Sequence, residues 1–120
     1  MTNYASGHHA EQVAAEYLRQ QGYSTVALNW KHARAEIDIV ARKKRRFGSA
    51  PLVFFEVKHR KAAQQGTGLN YITQAKLRQM QFAAELYVTS TGYEGEYVLG
   101  AIELSGDYVV TACVENIILS

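Results

Sequence analysis

An α/β fold is the class this sequence predicts: one mixed β-sheet of about five strands flanked by helices, in the order α-β-β-β-α-β-β. Three observations predict it. Two stretches place apolar residues at helical spacing. Five runs are rich in β-branched and aromatic residues and are bounded by Gly, Asn, Asp or Pro. The second helical stretch falls between the third and fourth runs, so it makes a crossover and part of the sheet is expected to be parallel.

The elements follow in order. Residues Ser6 to Gln21 predict a helix, because Ala10, Val13, Ala14, Tyr17 and Leu18 fall on one stripe. Ser6 suits its N-cap and Gly22 its stop. Strands are expected at Tyr23 to Asn29, Ala35 to Arg42 and Leu52 to His59. The turn Lys43 to Pro51, punctuated by Gly48 and Pro51, joins the last two as a hairpin. After a loop at Gln64 to Asn70, a helix is expected from Thr73 to Tyr87, with Thr73 a candidate N-cap. Tyr97 to Leu104 and Tyr108 to Val114 form the final strands around Ser105-Gly106-Asp107.

A chain of 120 residues is expected to form a single domain over 1–120, long enough to bury a core without disulfides. No run approaches the roughly 18 apolar residues of a membrane span, and Met1 to Ala10 lacks a leader's apolar stretch. The lone cysteine, Cys113, excludes an internal disulfide or a Cys-rich zinc site, so a reducing, cytoplasmic setting is expected. Cys113 itself is expected to be packed in the last strand. The net charge of +2 hides an asymmetry. Residues 1–60 carry ten Lys and Arg against five Asp and Glu, and residues 61–120 carry three against six. Arg42, Lys43, Lys44, Arg45 and Arg46 form one basic cluster, and Lys58, Arg60 and Lys61 another. Such runs suit a phosphate-bearing partner and equally suit a solvated turn.

Four charged residues sit inside strands that should be apolar: Glu36, Asp38, Glu56 and Lys58. Successive strand side chains point to opposite faces. Glu36 and Asp38 should therefore share one face and Ile37 and Ile39 the other. Glu56 and Lys58 should share the face of Phe54, opposite Phe55 and Val57. If the strands are hairpin neighbours, two or three carboxylates converge with an ammonium beside them. Like charges so close are costly unless a cation intervenes. Hard oxygen ligands suit Mg²⁺ or Mn²⁺, and the set suits metal-assisted phosphodiester hydrolysis. Glu11 lies at the margin of the first helix's apolar stripe and can reach the sheet edge. Lys76, within the second helix's apolar sector, either snorkels to solvent or reaches a phosphate. His8 and His9 are adjacent and form no i, i+4 metal pair. His59 lies on the face opposite Glu56. Trp30 and Phe47 could stack on bases or complete a core or subunit contact.

The segments GHHAEQVAAEYLRQQGY (7–23), NWKHARAEIDIVA (29–41), VFFEVKHRK (53–61) and ITQAK (72–76), in that order, resemble the YraN-like family of uncharacterised endonuclease-like proteins. That family is related to archaeal Holliday-junction resolvases in the PD-(D/E)XK nuclease superfamily. The resemblance spans roughly residues 7 to 87 and implies a restriction-endonuclease-like, resolvase-like fold. It implies that Asp38 is the first acidic ligand, that Glu56 and Lys58 form the E-x-K pair, and that Glu11 is the helix-one glutamate. The Val57 carbonyl is a further candidate ligand. Glu36, Arg60, Thr73 and Lys76 match positions that the pattern favours. Two departures stand out: Ile37 replaces the superfamily's proline, and EYVLGAIEL (96–104) replaces an Arg-Phe-Asp strand entry.

The function implied is a Mg²⁺- or Mn²⁺-dependent endonuclease acting on DNA rather than RNA, on branched or structured forms, with a two-fold dimer presenting two sites. Arg42 to Arg46, Arg60, Lys61, Thr73 and Lys76 are the nucleic-acid contacts expected. The alternative is a non-catalytic nucleic-acid-binding or scaffold protein on the same fold. Thr73 and Lys76 also suit capping and snorkelling roles.

Overall fold

The computed structural model describes residues 3–60 and 72–118, with side chains from His8 onward. Lys61 and the loop expected at Gln64 to Asn70 lie outside the described residues. The elements are α1 (Asn3–Gln20), β1 (Tyr23–His32), β2 (Ala35–Lys43), β3 (Leu52–His59), α2 (Gln74–Thr91), β4 (Tyr97–Leu104) and β5 (Val110–Ile117). The expected order holds. α1 starts at Asn3, so Ser6 lies within the helix and is not its cap. β1 runs three residues beyond Asn29, and β5 begins two residues after Tyr108, which takes a left-handed φ of 62°.

α2 extends four residues past the expected Tyr87. Val88 still packs against the core, and the Ser90 and Thr91 hydroxyls donate to the Tyr87 carbonyl at 3.3 and 2.7 Å. Gly92, at φ 75°, then takes the left-handed position that ends a helix with little strain, its N–H donating to Val88. At the other end Thr73 accepts from the Lys76 N–H at 3.1 Å. Thr73 is thus the N-cap.

The five strands lie in sequence order, β1-β2-β3-β4-β5. β1, β2 and β3 pair antiparallel, β3 and β4 pair parallel through the α2 crossover, and β5 returns antiparallel. One helix covers each face. On the α2 face, Val40, Leu52, Phe54 and Leu99 pack under Leu77, Met80, Ala84 and Tyr87. On the α1 face, Ile39, Ala41, Val53, Phe55, Ile102 and Leu104 pack under Ala14 and Leu18. Gly100 permits the close approach beneath Phe55, because a Cβ there would lie 2.8 Å from the ring and 2.9 Å from the Val114 carbonyl. No helix among the described residues is long and apolar enough to cross a membrane.

Two long-range side-chain pairs brace the sheet. Tyr23, at the start of β1, donates to Glu115 on β5, tying the sheet's two edges together at one end. Arg60, just past β3, is buried against Glu103 of β4, which also accepts from Thr111 at 2.7 Å. Their side chains are 10% and 4% exposed. The sequence suggests a phosphate contact for Arg60; in the fold its guanidinium offsets a buried carboxylate instead. Cys113, expected to be packed, is exposed on the edge strand.

Candidate functional site

The β2–β3 ladder runs from Arg42↔Leu52 to Ile39↔Phe55 and stops. Beyond that point β2 is paired only to β1, and β3 only to β4. The cause lies in the residues. Asp38 is the next position on β2, and its carboxylate accepts from the Val57 N–H at 2.7 Å, taking the place of a backbone carbonyl. A buried N–H must find an acceptor, and here a side chain supplies it. The break also changes which way β2 faces. Ile37 packs on the α2 side and Ile39 on the α1 side. This corrects the expectation that the two isoleucines share a face, because strict alternation assumes an uninterrupted strand. On β3 the alternation holds: Phe54 faces α2, while Phe55 and Val57 face α1.

Asp38 sits at the mouth of the gap, and carboxylates reach it from both sides. Burial, followed by the charge of Glu56, pushes its carboxyl up to about 8, with Glu11 and Glu36 adding to the rise and the Val57 N–H opposing it. From α1, Glu11 lies close enough to Asp38 for each carboxyl to act on the other, and its own carboxyl is raised chiefly by burial. Its Oε1 is buried without a hydrogen-bond partner. Two carboxyls in this arrangement share either a proton or a cation.

On the α2 side the gap opens into a cleft of about 300 Å³, lined by Glu36, Asp38, Glu56, Arg34 and Lys76 among others. Lys76 approaches Glu56 at 2.9 Å, with both side chains partly exposed. The sequence pattern makes Lys58 the expected ammonium beside the carboxylates. Lys58 is exposed and in register with Glu103, and Lys76 pairs with Glu56. The signal for Lys76 is its position within the apolar sector of α2, where a charged group needs a partner or an exit. Arg34, which no motif marks, lies at the β1–β2 turn after Ala33, whose φ is 54°.

Among the described residues, no three His, Cys, Asp or Glu side chains stand close enough to hold an ion between them as they lie. Glu56 is turned toward Lys76. That pair is partly solvent-screened, so breaking it costs little, about 1 kcal/mol or less. The donor chemistry fits a hard divalent cation all the same: crowded carboxylates with raised pKa and one buried, unpartnered oxygen are what such an ion relieves.

The basic turn occupies the other end of the same strand pair. Arg42, Lys43, Lys44 and Arg45 line an open concavity of about 460 Å³ with Gly48 and Ser49. Arg42 lies over the Tyr93 ring at 5.7 Å, Lys43 over Tyr23 at 5.1 Å and Arg46 over Phe47 at 5.6 Å. Asp38 to Arg42 is four residues, so the clusters are about 13 Å or more apart along the strand. Trp30 packs edge-on against Tyr87, and Phe47 is 82% exposed.

A family model described as "Uncharacterised protein family UPF0102" matches residues 10–110. Over 107 residues the chain is 30% identical to a UPF0102 protein of Cytophaga hutchinsonii, covering 89% of this chain and 90% of that one. It is 38% identical over 84 residues to a UPF0102 protein of Shewanella oneidensis, covering 70% and 73%. For a UPF0102 protein of Chlorobium phaeobacteroides the identity is 36% over 86 residues, covering 72% of this chain and 64% of the relative, just under two thirds of its length.

Proposed function

The chain belongs to the uncharacterised protein family UPF0102, and from that premise we propose that it is a Mg²⁺- or Mn²⁺-dependent endonuclease of the PD-(D/E)XK type, hydrolysing phosphodiester bonds in branched or structured DNA. The observation that carries the proposal is the ladder break at Asp38, where Glu11 approaches from one helix face and Glu56 from the other. A structural ion cluster would be a poor use of such residues, since buried charges seldom add stability.

Asp38 and Glu56 hold the metal in this reading, with the Val57 carbonyl as a further ligand. A bound divalent ion supplies Lewis acidity toward a phosphoryl oxygen and acidifies water. The remaining roles belong to the chain. Asp38 keeps one oxygen on the Val57 N–H, which fixes its orientation. Glu11 assists the Asp38 carboxyl directly or through water, and Glu36 adds negative charge at the mouth. Lys58 orients the attacking water or offsets charge developing on the phosphate. Lys76, which pairs with Glu56, would be left to contact the phosphate if Glu56 held the metal. The basic turn contacts the backbone by charge alone, which favours shape over base sequence. A two-fold dimer in the cytoplasm, offering two sites to two strands, completes the reading.

Cleavage of linear, flapped and four-way DNA in Mg²⁺ and Mn²⁺ tests it. Wild type should cut at least one substrate, and Asp38→Asn and Lys58→Ala should lose that activity. Wild type leaving every substrate intact in both metals ends the nuclease reading. One observation favours a second reading, a non-catalytic nucleic-acid-binding protein: Glu56 already has Lys76 as its partner. Calorimetric titration with Mn²⁺ separates the two, because a binder of that kind shows no heat that depends on Asp38.

A further inference from the structure

The cleft beside Asp38 is also lined by Arg34, Gln79 and Phe82, which the metal chemistry does not use. α2 already covers the sheet with Leu77, Met80, Ala83, Ala84 and Tyr87. Phe82 belongs to neither core, is 57% exposed, and lines the cleft together with Gln79 and Lys76. Residues 76, 79 and 82 recur every three positions, so they form a slanted ridge that turns about 120° around the helix. From Lys76 to Phe82 the ridge rises about 9 Å. Arg34 lines the same cleft. A scattered exposed phenylalanine needs no explanation. This one borders the same cleft as an amide, an ammonium and a guanidinium. Apolar ring face, hydrogen-bonding amide and paired cations match the parts of a nucleotide.

We infer that the strip Lys76–Gln79–Phe82 with Arg34 is a nucleotide subsite, in which Phe82 stacks an unpaired base while Arg34 and Lys76 take the phosphate side. Stacking on one side chain needs a free base face, and in a closed duplex both faces are covered by neighbouring bases. The substrate class is therefore nucleic acid with unpaired bases next to the bond attacked: single strands, flaps or open junctions. The inference rests on the nuclease reading only in taking the ligand to be nucleic acid.

Fluorescence anisotropy in Ca²⁺, with short single strands and matched blunt duplexes, tests the subsite, and 2-aminopurine placed in the single strand reports stacking. Phe82→Ala should weaken single-strand binding about tenfold, abolish the quenching of 2-aminopurine and leave duplex binding unchanged. Phe82→Trp should restore both single-strand signals. Because Phe82 is exposed, the alanine variant should melt as the wild type does. Wild-type affinity for single strands in Phe82→Ala overturns the subsite, and so does a shift in its oligomeric state, which would make Phe82 a subunit contact. If wild type cuts DNA while Phe82→Ala binds and cuts normally, the subsite falls and the nuclease stands. If wild type binds through Phe82 and cuts nothing, the reverse holds. If it binds no nucleic acid, both fall.

Discussion

The two ends of the β2–β3 pair are both highly charged and are built on opposite principles. At one end the ladder stops after Ile39↔Phe55, and charge is drawn inward: Asp38 replaces a backbone acceptor and Glu11 and Glu56 gather around it. At the other end the ladder runs out to Arg42↔Leu52, and the charges of Lys43 to Arg46 stay in solvent. The difference teaches that charge count alone does not locate chemistry. What distinguishes the acidic end is an interrupted backbone that leaves an N–H for a carboxylate to satisfy. Side chains fixed by such an interruption are crowded and destabilising, and a ligand cation relieves that crowding. Side chains on a continuous hairpin turn are easily kept and easily replaced.

The largest effect expected from this contrast is catalytic. Asp38→Asn keeps an acceptor for the Val57 N–H and removes the charge. It should lower cleavage by at least a hundredfold, a loss of roughly 3 kcal/mol or more of transition-state stabilisation, with the fold intact by circular dichroism. Arg45→Gln, at the other end, should change single-turnover rates less than threefold, about 0.6 kcal/mol. Equal losses in the two variants would erase the distinction.

Arg60 sharpens the comparison because it resembles the basic turn in sequence and the acidic end in structure. Its guanidinium is buried on Glu103. Arg60→Met should destabilise the fold by about 3–5 kcal/mol, since it strands a buried carboxylate. Arg45→Met should shift the midpoint of urea unfolding hardly at all. A harmless Arg60→Met would mean that water reaches Glu103.

Arg60 also shows how far sequence can be read. The five strands, two helices and crossover are legible because hydrophobic spacing and turn residues are local. So are Asp38 and Glu56 as residues to watch, since charge within an apolar strand is conspicuous, and Glu11, since it borders the apolar stripe of α1. Partners are not local. Nothing near Arg60 marks Glu103, which is 43 residues on. Lys76 pairs with Glu56 across a crossover, which no local spacing announces. The turn of Ile37 away from Ile39 depends on a ladder ending, and the alternation rule presumes that it does not. Phe82 looks like any helix residue until the cleft places it.

The pH dependence of stability tests the acidic end directly. The Asp38 carboxyl is raised from 3.8 to about 8 in the folded protein, so between those values the folded state binds more protons than the unfolded one. Stability should therefore fall as pH rises from about 4 toward 8, by at most about 1.4 kcal/mol per pH unit from this group, and level off above. Asp38→Asn should flatten that stretch of a melting-temperature profile. A divalent ion that replaces the proton should raise the melting temperature more at pH 8 than at pH 5. A profile that climbs across the whole range in wild type would mean that Asp38 is ionised and solvated, and the contrast between the two ends would disappear.

The smallest effects are expected at the basic turn, and they are the ones that decide whether it does anything beyond staying soluble. Each Lys or Arg there is exposed, apart from the half-buried Arg42, so removing charges from Lys43 to Arg46 should alter folding stability by no more than about 0.5 kcal/mol. If the concavity beside Gly48 takes a phosphate, each basic side chain neutralised should reduce the slope of log affinity against log salt by about 0.9 for duplex DNA. Neutralising Lys44 and Arg45 together should then lower the slope by nearly two and weaken binding alike on all sequences, because such interactions position the backbone without reading bases. The turn lies at least about 13 Å along the strand from Asp38, so cleavage at saturating DNA should keep its rate while the concentration needed rises. An unchanged slope would return the turn to an ordinary solvated hairpin and leave substrate binding to the cleft beside Asp38 alone.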